Sequence, residues 1–298
     1  SHHDFEGMPD VAKLLADMRA LRCAQTKLAV TPQSLRDNLG FLDHQRTGTT
    51  LIGMGERGLY SRILAPFLGS ELAFVSPDAR AAAPGQLTLE RALDIYGPDR
   101  SALRAEKIFA VAGNPAGHSL SPSIHNSLFR SKGVPAAYTI ASVASFDEIA
   151  GALKGEALAA VSVTAPSKED ASAFATRERA AIGENAAACG ASNTLVRSGS
   201  EMIADNTDVD GFTRILAPLC GRDRKTVALV GAGGTAKAAL VALSRAGMNV
   251  IVYNRTESKA RALGVKAIEP LENLSHFDGE IILNTITAAE QVDLPLRP

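Results

Sequence analysis

The sequence predicts an α/β fold built on parallel sheets, and two patterns support this prediction. Apolar runs of strand length alternate with helical patterns over residues 1–97 and again from Lys107 onward. Near the end of the chain, a glycine-rich turn joins an apolar run to a helical pattern. Only about four strand–helix units fit into the first region, whereas a closed (β/α)₈ barrel needs eight. We therefore expect a partial (β/α)₈ barrel followed by further α/β domains.

The predicted elements alternate along the chain as such a fold requires. Strands are predicted at Thr26–Val30, Thr50–Met54 and Glu71–Val75, and helices at Val11–Arg22, Ser34–His44, Leu59–Leu68 and Leu87–Tyr96. A polar linker at 98–106 leads to a strand at Lys107–Ala112, which begins a new domain. The next helix is predicted to have Ser121 as its N-cap and Pro122 in its first turn. Further strands are predicted at Tyr138–Val143, Leu158–Thr164, Ala191–Val196 and Met202–Ala204.

Composition narrows the classes of function. The 298 residues allow about two domains, and 46% hydrophobic with 21% charged residues is usual for a globular protein. A net charge of −1 does not indicate a basic surface that would bind nucleic acid. No apolar run approaches the ~20 residues that span a membrane. The three widely spaced cysteines are expected to be buried thiols in a reducing, cytoplasmic compartment, without a metal site. Because the chain lacks an initial Met and stops abruptly, we expect both ends to be cut.

The glycine-rich turn has the pattern of a dinucleotide-binding site. The apolar run Val227–Val230 ends in Gly231-Ala232-Gly233-Gly234, and a helical pattern follows. Gly231 allows a tight turn, and Gly233 lets the backbone approach a pyrophosphate. The N-terminus of the helix would direct its free N–H groups at the phosphates.

The strand after this helix indicates which dinucleotide is bound. It ends in Asn254-Arg255-Thr256 rather than in the acidic residue typical of NAD sites. The guanidinium of Arg255 suits a 2′-phosphate in charge and in geometry, so NADP(H) is the predicted cofactor. The alternative is a surface arginine after a strand in an unrelated α/β protein.

In the first region, Lys27 and His3 are candidate catalytic residues. Lys27 lies within an apolar strand, a setting that disfavours the charged ammonium. Lys27 could therefore form a Schiff base with a ketone, with His3 as the proton shuttle. The alternative is a lysine whose stem is buried and whose ammonium reaches water.

Four motifs give this region a more specific interpretation. SHHDFEGMP, TKLAVTPQS, GMGERGLYSRILAPFLGSELAF and AAAPGQLTLERAL resemble, in order, the second half of type I 3-dehydroquinate dehydratase. The resemblance implies that Lys27 forms an imine with 3-dehydroquinate and that His3 moves the proton. It also implies that Arg62 and Gln86 hold the carboxylate and hydroxyls of the substrate. Ala82 replaces a serine frequent in the family, and the first half of the barrel is absent, so we expect no dehydration by this chain.

Polar side chains also follow the strands of the second region. Ser119 and Ser121 flank a helix start that suits a carboxylate. Lys168 and Asp208 could form a proton-transfer pair beside a hydride acceptor. Each residue alone would fit an ordinary capping serine or a surface ion pair.

Together, these residues belong to motifs that resemble shikimate dehydrogenase. GNPAGHSLSPSIHN, VSVTAPSK, GASNTLV, DNTDVDGF, VGAGGTAKAA and YNRT occur in the order and spacing of that family. The resemblance implies a two-lobed enzyme that reduces 3-dehydroshikimate to shikimate with NADPH. The implied site residues are Ser119 and Ser121 for the carboxylate, Thr164, Asn193 and Asp208 for the ring hydroxyls, and Lys168, paired with Asp208, as the acid–base residue. The family's NTTP-like segment appears in altered form as Asn284-Thr285-Ile286-Thr287.

The two resemblances imply a dehydratase–dehydrogenase fusion of the shikimate pathway that acts on small molecules. Its predicted domains are a partial barrel at 1–103, a substrate-binding and catalytic domain at 104–206, and a Rossmann-type NADP domain at 207–298. One alternative is an NAD-dependent quinate/shikimate dehydrogenase, against which Arg255 argues. Another is a non-catalytic nucleotide-binding protein, against which the presence of both Lys168 and Asp208 argues.

Overall fold

The first elements along the chain form the partial barrel. The computed structural model describes residues 1–78, 84–99, 103–220 and 224–286, and contacts divide it into two units, Ser1–Thr164 and Ala165–Pro298. The first unit begins with β1 (His2–His3), α1 (Val11–Ala20), β2 (Thr26–Val30), α2 (Leu35–Leu42), β3 (Thr49–Gly53), α3 (Leu59–Leu64), a 3-10 helix (Ala65–Leu68) and α4 (Leu89–Tyr96). The strands form a parallel sheet in the order β1-β2-β3. The strand–helix alternation that the sequence predicts is confirmed for residues 1–68.

The core of this partial barrel lies between its sheet and the first two helices. Its fully packed members are Val11, Leu15, Leu28, Val30, Phe41 and Leu51. Helix α1 begins where the Asp10 carboxylate accepts the N–H of Lys13 at 2.9 Å. Helix α2 begins where the Ser34 hydroxyl accepts the N–H of Asp37 at 3.1 Å. These caps fix where both helices start, and so which of their residues face the strands.

The predicted strand at Glu71–Val75 is wrong. A strand needs a ladder of hydrogen bonds along a neighbour, whereas the contact found next to this segment is an isolated bridge between Ser76 and Thr88. The N–H of Ser76 donates to the carbonyl of Leu87 at 2.8 Å, and the N–H of Leu89 donates to that of Ser76 at 2.7 Å. Ala82, the predicted departure from the dehydratase pattern, lies outside the described residues.

A second parallel sheet completes the first unit. Its elements are β4 (Lys107–Gly113), α5 (Ser121–Lys132), β5 (Ala136–Ser142), α6 (Phe146–Lys154) and β6 (Ala160–Val163), with the strand order β5-β4-β6. Every residue of β5 is buried, because α5 and the barrel helix α3 both pack against it. The hydroxyl of Thr139 donates to the carbonyl of Tyr60 at 3.1 Å across this contact. The partial barrel and this sheet therefore share a buried surface.

The second unit contains a hairpin region and a parallel sheet. The first part comprises α7 (Lys168–Arg177), β7 (Ala181–Ile182), α8 (Glu184–Cys189), β8 (Thr194–Ser198), β9 (Glu201–Asp205), α9 (Thr207–Leu216) and a 3-10 turn (Ala217–Leu219). The second part comprises β10 (Thr226–Val230), α10 (Gly234–Arg245), β11 (Asn249–Asn254), α11 (Glu257–Arg261), β12 (Ala267–Pro270), a 3-10 helix (Leu271–His276) and β13 (Ile281–Asn284). Strands β8 and β9 are antiparallel, and β7 lies parallel to β9.

The last sheet has a Rossmann-type arrangement. Its strands are parallel in the order β12-β11-β10-β13. On one face, Leu229 and Val252 pack against Ala236 and Ala239 of α10. The small alanine side chains let the helix lie close to the sheet, as the glycine-turn motif requires. The predicted α/β class with a Rossmann-type domain at the end of the chain is confirmed.

The three cysteines are free thiols, but only Cys189 is buried. Cys23 lies in the loop between α1 and β2, and Cys220 directly follows the 3-10 turn Ala217–Leu219. Loops lie mostly on protein surfaces, and both thiols are exposed, so the prediction of buried thiols is wrong for these two. Over 1–78, 84–99, 103–220 and 224–286, no helix combines the length and apolarity needed to cross a membrane. The same residues contain no group of three His, Cys, Asp or Glu side chains arranged to hold a metal ion.

Candidate active site

The ammonium group of Lys168 is the centre of a polar cluster in the second unit. Lys168 is the first residue of α7 and is 9% exposed. Its Nζ lies 2.6 Å from Asp208 Oδ2, and Asp208 Oδ1 accepts a hydrogen bond from Asn193 Nδ2 at 2.8 Å. Because both carboxylate oxygens have donors, Asp208 is fixed in position and compensates the buried cation. The structure thus brings together three of the residues predicted from the motifs.

The local sequence explains why Asp208 and Asn193 meet. Asn206 is the N-cap of α9, where its side chain accepts the N–H of Asp208 at 3.1 Å. The amide of Asn206 also donates to the carbonyl of Ala191 at 2.8 Å, which draws the start of α9 toward the loop before β8. In that loop, Asn193 Oδ1 accepts the N–H of Thr207 at 3.0 Å. Asp208 therefore lies in the first turn of α9, where the helix dipole favours its negative charge.

This cluster has the chemistry of a proton-transfer site. An ammonium held by a carboxylate can protonate an oxygen that gains negative charge beside it, and can regain the proton afterwards. The low exposure of Lys168 strengthens such an interaction, because less water screens the charges.

Thr235 is a further partner of Lys168, and the sequence reasoning missed it. Its Oγ1 accepts a hydrogen bond from Lys168 Nζ at 3.0 Å. The residue before it, Gly234, lies so close that an added Cβ would be 3.0 Å from the Cβ of Lys168. The glycine-rich turn therefore makes room for the lysine as well as for a nucleotide. The available signal was a hydroxyl residue directly after the glycines at a helix start.

The glycine-rich turn lies at the carboxyl end of β10, as predicted. Gly231 has φ +110°, and a Cβ there would lie 2.6 Å from Thr285 Oγ1, so the turn requires glycine. Gly233 is the N-cap of the 12-residue helix α10 and has open space where a Cβ would be. Ala232 between them is half-buried. The turn could therefore hold a phosphate group close to the backbone at the helix start.

The predicted 2′-phosphate residues lie beside this turn. Gly231 donates its N–H to the carbonyl of Tyr253 at 2.9 Å, which joins the ends of β10 and β11. Directly after β11, Asn254 Nδ2 donates to the carbonyl of Thr256 at 2.8 Å, and the Arg255 side chain is exposed. A nucleotide with its phosphates at the turn could thus extend along the sheet edge toward Arg255.

In the first unit, Ser119 and Ser121 form a pair of hydroxyls. Their Oγ atoms are 3.1 Å apart, and Ser119 Oγ accepts the N–H of Ser121 at 3.2 Å. The prediction of Ser121 as N-cap is wrong, because Ser121 is already the first helical residue of α5 and Leu120 occupies the cap position. Pro122 lies in the first turn as predicted. Thr164 follows β6, where its N–H donates to the carbonyl of Ala112 at 2.8 Å.

Tyr138 is a second polar residue that the sequence reasoning missed. It lies in β5, and its hydroxyl donates to Ser162 Oγ at 2.7 Å. Burial raises the pKa of Tyr138, against the effect of hydrogen bonds with Ser162 and Ser121. The hydroxyl is therefore a neutral donor near the serine pair. In the sequence, Tyr138 is indistinguishable from an aromatic residue that only packs in a strand.

His3 and Lys27 lie on neighbouring strands of the partial barrel. His3 in β1 pairs in register with Ala29 of β2. The pKa of His3 is lowered, first by partial desolvation and second by the positive charge of Lys27. The ammonium of Lys27 lies 4.3 Å from the ring centroid of Phe74, a cation–π contact. The two predicted dehydratase residues therefore lie on adjacent, paired strands of the sheet.

Arg62 and Gln86, the other predicted dehydratase residues, follow β3. Arg62 Nε donates to the carbonyl of Gly53 at 3.0 Å, and burial lowers the pKa of Arg62. The loop before Gln86 is tied to the end of β3 by a hydrogen bond from the N–H of Gly55 to the carbonyl of Pro84 at 3.1 Å. His3 and Lys27 lie on β1 and β2, Arg62 lies in α3, and Gln86 lies in the loop before α4. The described sheet of this region has three strands, whereas a closed barrel surrounds its site with eight.

Comparison with known proteins matches the chain in three segments. Residues 1–101 match the family model of type I 3-dehydroquinase, residues 111–195 the shikimate dehydrogenase substrate binding domain, and residues 217–290 shikimate/quinate 5-dehydrogenase. A shikimate dehydrogenase (NADP(+)) of Pyrococcus abyssi is 30% identical over 197 residues, which cover 64% of this chain and 72% of that protein. The chain belongs to the shikimate dehydrogenase family.

Two further relatives link the chain to a solved structure and to a fusion protein. The shikimate 5-dehydrogenase of Thermus thermophilus, in complex with NADP(H) and shikimate, is 31% identical with a TM-score of 0.52, covering 60% of this chain and 68% of that one. The bifunctional 3-dehydroquinate dehydratase/shikimate dehydrogenase of Arabidopsis thaliana is 30% identical over 337 residues, covering 100% of this chain. The chain spans only 53% of that bifunctional relative. The predicted resemblance to both families is confirmed.

Proposed function

We propose that this protein reduces the ketone of 3-dehydroshikimate to the alcohol of shikimate, with NADPH as the reductant. The observation that carries the proposal is the ion pair of Lys168 and Asp208, 2.6 Å apart and largely shielded from water. Reduction of a ketone builds negative charge on the carbonyl oxygen. A positioned ammonium both stabilises that charge and supplies the proton. Lys168 is then the general acid, and Asp208 holds it in place.

The substrate is proposed to lie with its carboxylate on the serine pair. Ser119 and Ser121 present two hydroxyls at the start of the 12-residue helix α5, where the helix dipole favours an anion. Residues with polar side chains beside strand ends are proposed to bind the ring hydroxyls, namely Thr164, Asn193 and Asp208. Separate partners for the carboxylate and for the hydroxyls would fix the orientation of the substrate.

The residues of the Rossmann-type domain fit NADP(H). The turn residues Gly231, Ala232, Gly233 and Gly234 are proposed to hold the pyrophosphate, and Asn254, Arg255 and Thr256 the 2′-phosphate. The fit is supported by the open space beside Gly233 and by a cation at the end of β11 where an acidic residue would favour NAD. When bound, NADPH supplies the hydride.

We also propose that the barrel, where complete, dehydrates 3-dehydroquinate. Lys27 would form the imine, His3 would move the proton, and Arg62 and Gln86 would bind the carboxylate and hydroxyls. The pairing of the strands that carry His3 and Lys27, β1 and β2, supports this assignment. The same proposal divides the chain into domains at 1–103, 104–206 and 207–298. It places the protein in the cytoplasm, whereas the Arabidopsis relative is named as chloroplastic, and cell fractionation would test that location.

The function is tested by following NADPH oxidation with 3-dehydroshikimate, with NADH in a parallel assay. We expect turnover that favours NADPH. A faster reaction of quinate with NAD⁺ would instead indicate a quinate/shikimate dehydrogenase. Binding of NADPH without turnover of either substrate, in this chain and in a chain extended at both ends, would identify a non-catalytic nucleotide-binding protein.

A further inference from the structure

Two side chains of the dehydratase-like region hold the loop that carries Ser119. From helix α4, Arg91 donates through Nη1 to the carbonyl of Gly117 and through Nη2 to the carbonyl of Ser119, both at 2.8 Å. From the segment after β3, Glu56 accepts the N–H of Gly117 through Oε1 at 3.2 Å. Both backbone groups of Gly117 are thus bonded to the region that resembles the dehydratase.

The same carboxylate reaches a second element of the dehydrogenase. Glu56 Oε1 also accepts a hydrogen bond from the hydroxyl of Ser142 at the end of β5, at 3.2 Å. A Cβ on Gly117 would lie only 3.1 Å from this carboxylate oxygen, so the absence of a side chain allows the close approach. The backbone of the loop therefore packs directly against the Glu56 carboxylate.

The burial of Arg91 indicates a positioned group. Arg91 is half-buried, and its Nε is buried without a hydrogen-bond partner within the described part of the chain. Desolvation of a guanidinium is costly, and here two carbonyl acceptors offset it. Burial lowers the pKa of Arg91, in keeping with this desolvation.

The bond to the carbonyl of Ser119 fixes the peptide group between Ser119 and Leu120, because a peptide group is planar. One residue further along the chain is Ser121, whose N–H and Oγ are bonded to Ser119 Oγ. Arg91 therefore holds the backbone that carries Ser119, although Arg91 itself does not contact the serine hydroxyls.

We propose that Arg91 and Glu56 are positioning residues for the carboxylate-binding loop of the dehydrogenase, so that the dehydratase-like region sets its affinity for substrate. The proposal rests on the proposed function, in which Ser119 and Ser121 bind the substrate carboxylate. The proposal gives a physical role to the joining of the dehydratase-like region and the dehydrogenase in one chain. Part of the dehydrogenase substrate site is held in shape by residues that precede the dehydrogenase in the chain.

If Arg91 had a purely structural role, its hydrogen bonds would be only some of several that hold the regions of α4 and α5 together. Arg130 of α5 provides the matched control, because its guanidinium donates to the carbonyls of Ile95 and, at 3.0 Å, Asp94 near the end of α4. This contact joins the same two regions without touching the serine loop. The variant that lacks Arg130 should therefore show only the effect of a weaker contact between these two regions.

The test compares steady-state kinetics of Arg91→Met, Arg91→Lys, Glu56→Ala and Arg130→Met. For Arg91→Met we expect the KM for 3-dehydroshikimate to rise about tenfold, with kcat and the KM for NADPH within about twofold of the unsubstituted chain. Arg91→Lys should recover part of the loss, because a lysine can replace one of the two bonds. Glu56→Ala should raise the same KM less, and Arg130→Met should leave it unchanged.

Three results would overturn the proposal. One is an unchanged KM for 3-dehydroshikimate in both Arg91→Met and Glu56→Ala. Another is an equal change in the KM for 3-dehydroshikimate in Arg91→Met and Arg130→Met. The third is an equal effect of Arg91→Met on the KM for 3-dehydroshikimate and on the KM for NADPH. Glu56 is exposed, so its variant should fold even if an Arg91 variant does not. If the unsubstituted chain neither binds shikimate nor turns over 3-dehydroshikimate, that result contradicts the proposed function itself, and this proposal fails with it.

Discussion

Lys168, Asn193 and Asp208 lie far apart in the sequence and yet share one hydrogen-bonded cluster. Lys168 and Asp208 follow β6 and β9, and Asn193 directly precedes β8. These positions beside strand ends could be predicted from the motifs. The contact with Thr235 could not be predicted, because it depends on how closely α10 approaches Lys168. Tyr138 was missed for another reason, since an aromatic residue in a buried strand normally contributes packing alone.

Replacing Arg255 with alanine should reduce the preference for NADPH over NADH. The substitution removes a cation that would pair with the 2′-phosphate, which NADH lacks. Because hydrogen bonds between charged groups contribute about 1.5–3 kcal/mol, we expect the ratio of kcat/KM values to fall by about 10- to 100-fold. The control is Arg261→Ala, which removes an exposed arginine paired with Glu257 in the next helix. An unchanged ratio in Arg255→Ala would contradict the phosphate assignment.

The boundaries of secondary structure were predictable where a local signal exists. Strand β2 runs from Thr26 to Val30 as predicted. Helix α2 begins at Leu35, one residue after the start of the predicted helix Ser34–His44, because the Ser34 hydroxyl accepts the N–H of Asp37. The segment Glu71–Val75 has strand-like composition but does not form a strand, since strand formation depends on a partner elsewhere in the chain. Signals confined to a few residues thus predicted elements better than signals that require a distant neighbour.

The contact between α5 and β5 should make stability depend on pH. His125 of α5 stacks on Tyr138 of β5 with ring centroids 4.3 Å apart, and desolvation lowers the pKa of His125 below its usual 6.5. The unfolded chain therefore binds a proton more readily than the folded chain does. The free energy of unfolding should be unaffected by this residue well above pH 6.5 and should fall as the pH decreases below it.

Urea unfolding midpoints between pH 7.5 and pH 5 would measure this effect, with about 6.5 as the reference pKa of an unperturbed histidine. We expect the decrease in midpoint to be smaller in His125→Gln than in the unsubstituted chain. His276→Gln, which replaces an exposed histidine, should leave the decrease unchanged. An equal pH dependence in all three proteins would show that His125 does not resist protonation.

The order of the two families along the chain was predictable because each carries several motifs in sequence. Residues 1–101 match the dehydratase family and the later segments match the dehydrogenase family. The bonds from Arg91 and Glu56 to the serine loop could not be predicted, because no motif of either family relates these residues to one another. Contacts between regions depend on packing of surfaces that sequence patterns describe separately.

The partial barrel should not process 3-dehydroquinate. Its described sheet has three strands, so much of the wall around Lys27 that eight strands would provide is missing. Incubation with 3-dehydroquinate and borohydride, followed by mass spectrometry, should give no adduct on Lys27. A chain extended to a complete barrel is the positive control and should give the reduced imine. An adduct on Lys27 in the present chain would contradict this prediction.

The central claim is that Lys168, held by Asp208, is the general acid of an NADPH-dependent reduction. The most direct test is the rate of NADPH oxidation with 3-dehydroshikimate for Lys168→Ala, with the exposed Lys132→Ala as control. Loss of a general acid should lower kcat by about 10²- to 10⁴-fold while the KM changes little, and the control should match the unsubstituted chain. A Lys168→Ala chain with normal kcat, or one impaired through KM alone, would contradict the claim.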